Sequence, residues 1–179
     1  QIYVRERTSQ TVPKRYLSTP ASMLRNIPVI EDAVDGNGFL DVMHGHDGVI
    51  RTVQTVLWSE GRAYPLLALE TYRLWLGAER SIVRIRSEGM IESIGFRARN
   101  GESVQLPTGL YGEVRPYFIE RAASRYISVR SVLRKEISPD RIANKIVVFG
   151  SDAKGIGDAA PSPLYSDLNG VEFHVQAIE

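Results

Sequence analysis

The chain has 179 residues, 43% hydrophobic and 24% charged, with a formal net charge of +1. That is the balance of one ordinary globular domain, here expected to span residues 1–179, and it gives no case for a nucleic-acid or other polyanionic partner. The absence of cysteine excludes a disulfide scaffold and thiolate metal sites, fits an oxidising periplasm, and accompanies a sequence with no apolar run long enough to span a bilayer.

Ile2-Tyr3-Val4 reads as a short strand. Residues 5–31 are polar and punctuated by Pro13, Pro20 and Pro28. Arg5, Arg7, Lys14 and Arg15 are not followed by the apolar region of a signal peptide. Pro20 suits the first position of a helical turn over residues 20–25, capped by Ser18 or Thr19. Asp35-Gly36-Asn37-Gly38 is a turn cluster. Two strands follow, over 39–43 and 49–57, joined by a hairpin turn at Asp47-Gly48. Neither face of the second strand is cleanly polar, which places it inside a sheet.

Ser59-Glu60-Gly61-Arg62 is a further turn. Pro65 then fits a helix N1 position, with the helix running over 66–76 to Gly77. Leu66, Leu69, Arg73 and Leu76 share one side, and Leu67, Leu74 and Trp75 widen the apolar surface. Residues 81–86 and 91–98 read as strands, and Asn100-Gly101 is a tight-turn signal leading to a strand over 103–106. Pro116 restricts residues 113–118 to a sheet edge. Ser128 caps a helix reaching Lys135, and Pro139 starts a shorter one that ends near Asn144.

The richest stretch is residues 144–174. Lys145-Ile146-Val147-Val148-Phe149 is a continuous apolar, β-branched run of the kind buried on both faces of a parallel sheet. Gly150 ends it, and the loop from Ser151 to Asp158 leaves its carboxyl end, where open α/β sheets bind ligands. After Pro161 and Pro163, Gly170 precedes a helix with Val171, His174, Val175 and Ile178 on one face. The order of elements gives an α/β or α+β fold: a mixed sheet with antiparallel hairpins in the middle, a buried parallel-type strand at 145–149, and helices packed on the sheet.

Two blocks of this chain resemble a known family. One is K-I-V with two further apolar residues, G-S-x-A, an Asp, S-P, and G-V-E-x-H, between Lys145 and His174. The other is Gly38-Phe39-Leu40-Asp41-Val42 followed by His46-Asp47-Gly48-Val49-Ile50-Arg51. Together they are similar to the class-two CHASE domain, a sensory extracellular module associated with cyclases and histidine kinases. The resemblance covers residues 38–179, and the strand–loop–helix unit that opens the family's domain is not recognisable upstream. It implies a non-catalytic, extracytoplasmic sensor of a bacterial membrane receptor, on the periplasmic side of the inner membrane. Such a parent carries flanking transmembrane helices and a cytoplasmic kinase, nucleotide cyclase or diguanylate cyclase. The signal is a small molecule or a protein, and a homodimer is one arrangement the family allows.

The candidate ligand-binding residues are Ser151, Asp152 and Asp158, joined by Asp47 and Arg51 if the hairpin tip folds over that loop. The ligand itself stays open; a soaked or copurified small anion is expected to contact these residues. Asp47 and Arg51 also suit a plain ion pair across the hairpin. The glycine spacing from Gly150 to Gly155 echoes a phosphate-binding loop, but Ile156-Gly157 stands where Lys-Ser/Thr is required. Gly155-Ile156-Gly157-Asp158-Ala159-Ala160 fits a dinucleotide pattern, but it starts late and runs into Pro161. His44, His46, Asp47 and His174 contain the elements of a zinc set, yet His174 on an apolar helix face reads better as a core histidine bonded to a carbonyl or carboxylate. Ser151 and His174 lack the G-x-S-x-G context of a hydrolytic triad. Tyr64, Tyr72, Trp58 and Trp75 read as core aromatics. No metal and no cofactor is therefore expected. The alternatives are a soluble α/β nucleotide- or metal-dependent hydrolase using the same loop, and a module that only dimerises its neighbours.

Overall fold

The computed structural model describes residues 2–6, 17–86, 89–151 and 159–179. Its centre is a four-stranded sheet of β1 (Ile2–Glu6), β5 (Ser81–Ile85), β6 (Ile91–Arg97) and β7 (Ser103–Pro107), in that spatial order. β1 runs parallel to β5, while β5–β6 and β6–β7 are antiparallel hairpins. On the inner face Val83 opposes Ile94 and Phe96 opposes Val104, and Val83, Ile94 and Phe96 are buried. The mixed α/β class expected from the sequence is the class observed.

Three short ladders extend this centre. β3 (Val56–Ser59) pairs with β4 (Arg62–Pro65) through a turn in which Glu60 and Gly61 both take positive φ, 50° and 82°. That is the backbone of a tight hairpin that follows strand twist. β2 (Val53–Gln54) pairs with β8 (Glu113–Val114), and β9 (Ala159–Ala160) with β10 (Leu168–Asn169). The helices are α1 (Pro28–Glu31), α2 (Leu67–Trp75), α3 (Val129–Leu133) and α4 (Gly170–Ile178).

α2 and α4 pack on each other, and Leu69 and Phe173 join Val53, Val56 and Val83 in one apolar cluster. α2 also buries a charge pair: Arg73 donates to both Glu70 carboxylate oxygens at 2.7 and 2.8 Å. The same guanidinium donates to the Ala78 and Glu79 carbonyls, so each polar group of the pair has a partner.

Several local expectations differ. Residues 39–43 form no strand; Phe39 makes a single parallel bridge to Leu66. The turn at 44–48 closes through Gly45 and Val49, but its arms then part, because the Ile50 N–H goes to the Pro161 carbonyl. The first short helix begins at Pro28 rather than Pro20. Pro65 ends β4 instead of opening α2, whose N-cap is the extended Leu66. Trp75 is 61% exposed and stacks on Tyr72 from outside, whereas Trp58, Tyr64 and Tyr72 pack partly into the core.

The largest correction concerns residues 145–149, which form no strand. Ile146 and Val148 are half-buried, but Val147 is 61% and Phe149 78% exposed. A strand needs a neighbour to satisfy its N–H and C=O groups, and no described segment forms a ladder or bridge with this one. Its apolar composition implies burial on two faces, and the structure supplies one. The whole stretch 113–151 contains no buried residue. It lies over the core as a strap.

Candidate functional site

α4 organises this end of the molecule. Gly170 opens it directly after β10, and its buried side is Phe173, His174 and Gln176 rather than the predicted row through Val175 and Ile178. Gly150 sits against its first turn. A Cβ on Gly150 would lie 2.7 Å from the Val171 Cβ, so only glycine lets the 145–150 run approach this closely. The contact leaves a cavity on each side of the helix start.

The first cavity, about 550 Å³, lies between α4 and the strap. Its wall is a charged clasp. Arg121 donates to the Glu172 carboxylate at 2.6 and 2.9 Å and to the Asp167 carbonyl at 2.8 Å, and its guanidinium covers the Tyr165 ring at 4.4 Å. Arg125 pairs with Glu179. Burial, seconded by the Glu172 carboxylate, pushes the Tyr126 phenol up. These charges are spent on one another.

The second cavity, about 670 Å³, opens at the carboxyl end of the 145–149 run. Ser151 lines it, as do His44 and Ile50 from the hairpin and His174 from α4. His174 is 3% exposed, and burial holds its pKa below the ordinary imidazole value, opposed by a hydrogen bond to the Leu40 backbone. Its Nδ1 is buried and has no hydrogen-bond partner. The expectation of a core histidine is met by its burial. The unpaired nitrogen and the cavity beside it carry no signal in the sequence.

The predicted site residues are thus only partly brought together. Ser151 and the hairpin meet in one cavity, through His44 and Ile50. Asp47 and Arg51 do not line it. They form an exposed bidentate pair, Arg51 Nη1 and Nη2 donating to Asp47 Oδ1 and Oδ2 at 2.9 and 2.8 Å. The Arg51 hydrogen bond, with help from the Val49 N–H, lowers the Asp47 carboxyl to about 2. Arg51 bonds within its own turn. Asp152 and Asp158, and the glycines at 155 and 157, lie outside the described residues. Among the described residues no three His, Asp or Glu side chains stand together in a way that could hold a metal ion.

The comparison with protein families decides the broader question. The model of the CHASE2 domain matches residues 5–179.

The chain belongs to the CHASE2 domain family.

The match reaches well upstream of Gly38, where the sequence motifs begin, so residues 5–37 are part of the likeness. CHASE2 is an extracellular sensory domain family of signalling proteins, not a catalytic one. No curated protein and no solved structure matches the chain. No helix among the described residues is long and apolar enough to cross a membrane.

Proposed function

We propose that this CHASE2 chain is the extracytoplasmic signal-sensing domain of a bacterial membrane-bound signalling protein, folded as one non-catalytic unit on the periplasmic side of the inner membrane. Its parent carries flanking membrane helices and a kinase, nucleotide cyclase or diguanylate cyclase output, and works as a homodimer. A small molecule occupies the cavity beside His174 and biases two arrangements of α4 and the strap. The observation that carries the reading is that cavity. It joins Ser151, the hairpin and α4, and its volume falls in the range of small-molecule sites, roughly 300–1,000 Å³. The strap supports a switching element, because no residue from 113 to 151 is buried and polar clasps fasten it to α4.

Filling the cavity tests the proposal. Ala159 lies on its wall with its side chain exposed. Ala159→Trp in the full-length parent is expected to abolish the response to the native stimulus while basal output and domain folding persist. A full response in that variant would remove the cavity from the mechanism.

A further inference from the structure

We infer that the groove between the α2–β5 turn and the β6–β7 hairpin binds a soluble small molecule through a phosphate monoester group, held by Arg80, Arg97 and Arg99. This is a second site, at the other end of α2 from the cavity beside His174, and it does not depend on the sensing role of that cavity.

Residues from two segments, 77–82 and 97–101, line the groove, which has a volume of about 950 Å³, and both segments are described throughout. They are tied together. The Arg99 N–H donates to the Leu76 carbonyl at 3.2 Å. Gly77, at φ 62°, lets the Arg99 side chain lie against it; an added Cβ would stand 3.3 Å from the Arg99 Cβ. β1 passes this end of the sheet at Ile2, opposite Ser81, and runs away from it to Glu6, opposite Ile85. The His174 cavity meets α2 at Leu67 and the groove meets its end at Gly77, about 15 Å further along the helix axis.

Three arginines line this space against one carboxylate, Glu79. Ser81 opposes Phe96 in the β5–β6 ladder, which sets Arg80 and Arg97 at adjacent positions on neighbouring strands. Like charges so placed repel. Arg80 has Glu79 at 3.6 Å, but Glu79 is 85% exposed, and a solvated pair of that kind is weak. Arg97 and Arg99 make no side-chain hydrogen bond or ion pair among the described residues, whereas Arg51, Arg73 and Arg121 each hold a carboxylate. The end of α2 does not call for them either, because Arg73 already serves the Ala78 and Glu79 carbonyls. A dianion relieves the repulsion. A phosphate monoester carries about −1.5 to −2 charges at pH 7 and three acceptor oxygens, and the guanidinium fork matches its geometry. A carboxylate brings one charge and two oxygens. The remaining volume takes the rest of a small molecule, over the half-buried Ile82. The chain's net charge of +1 conceals the site, because acidic residues elsewhere balance these arginines.

The test uses the 179-residue chain with ¹⁵N-labelled arginine and three probes of similar shape: phenyl phosphate, benzenesulfonate and benzoate. Benzenesulfonate keeps the three oxygens with a single charge. Phenyl phosphate is expected to bind about fivefold or more tightly than either, to weaken as salt rises, and to shift the Arg97 and Arg99 Nε resonances. Arg97→Gln and Arg99→Gln, both at exposed positions, should each weaken it by about fivefold or more. Arg115→Gln, at an exposed residue that does not line the groove, should leave it unchanged. Without ligand, Arg97→Gln should unfold at the same denaturant concentration as the unaltered chain or a higher one, since it removes a repulsion; a merely structural role predicts a lower one. Equal affinities for the three probes, unmoved Nε resonances, an equal loss in Arg115→Gln, a destabilised Arg97→Gln or no binding of phenyl phosphate would each overturn the inference. So would binding to phosphatidate vesicles without binding of phenyl phosphate, which would assign the arginines to a lipid surface.

Discussion

Gln176 on α4 holds both backbone groups of Ile119. Its Oε1 accepts the Ile119 N–H at 2.7 Å, and its Nε2 donates to the Ile119 carbonyl at 3.4 Å. The side chain does for the strap what a neighbouring strand would do, and it does so from a 7% exposed position beside Phe173. Phe118, the residue before, meets Phe173 at a ring separation of 6.0 Å. Gln176→Leu keeps the volume and removes both bonds. It should cost about 1–3 kcal/mol in denaturant unfolding and speed exchange of the Ile119 amide by about tenfold. Unchanged exchange at Ile119 would show that the strap is held by other contacts.

The Arg73–Glu70 pair is the costliest polar feature of the core to break. Both side chains are under a tenth exposed. Arg73→Met should destabilise by about 3–5 kcal/mol, because the Glu70 carboxylate is left buried and unpaired. The double change Arg73→Met with Glu70→Leu should recover most of the loss. A single-variant cost below about 1 kcal/mol, the range of solvated pairs, would mean that water reaches the pair.

His174 makes stability depend on pH with a definite sign. Its folded pKa lies below the ordinary imidazole value of 6.5, and burial is the cause. Below 6.5 the unfolded chain binds a proton that the folded chain refuses, so stability falls as pH drops from 6.5 towards the folded pKa and levels off beneath it. Above 6.5 both states are neutral and His174 contributes no slope. Unfolding curves from pH 7.5 to 4.5 should show this fall in the unaltered chain and a smaller one in His174→Phe. Parallel pH profiles would assign the dependence to other groups.

Gly150 and Val147 lie three residues apart and should respond oppositely. Gly150→Ala drives a methyl into Val171 and should cost about 1–3 kcal/mol by overpacking. Val147→Thr alters an exposed side chain and should stay within about 0.5 kcal/mol of the parent. A large loss at Val147 would restore the two-sided burial that the sequence implies.

How much of this was legible follows from what each signal measures. The hairpins of the sheet are local, so Asn100-Gly101 and Glu60-Gly61 announce their turns and the alternation in 81–85 announces its inner face. The family blocks at 38–51 and 145–174 are legible too, because they preserve residue types in order. The apolar run at 145–149 misleads because periodicity reports preference for burial and says nothing of whether a partner strand is present. The parallel pairing of β1 with β5 joins residues about 80 apart and leaves no local mark. At the site, His174 is readable as a core histidine, but the cavity it lines depends on where Leu40, Gly150 and Phe173 meet in space. Asp47 and Arg51 stand four apart in a turn, and that proximity makes them a pair before it can make them a ligand site.

The proposed sensing role requires that the signal enter through the cavity from outside the membrane. The chain has no cysteine, so a single one can be placed at will in a full-length parent freed of other thiols. Ala159→Cys lies on the cavity wall, and Leu133→Cys, at a residue 78% exposed on α3, serves as the control. Treating intact cells with a membrane-impermeant maleimide and reading output with and without the stimulus is the decisive measurement. Labelling at both positions, with the response lost only at 159, is the predicted result. An intact response after labelling at 159, or protection of both thiols until the membrane is opened, would contradict it.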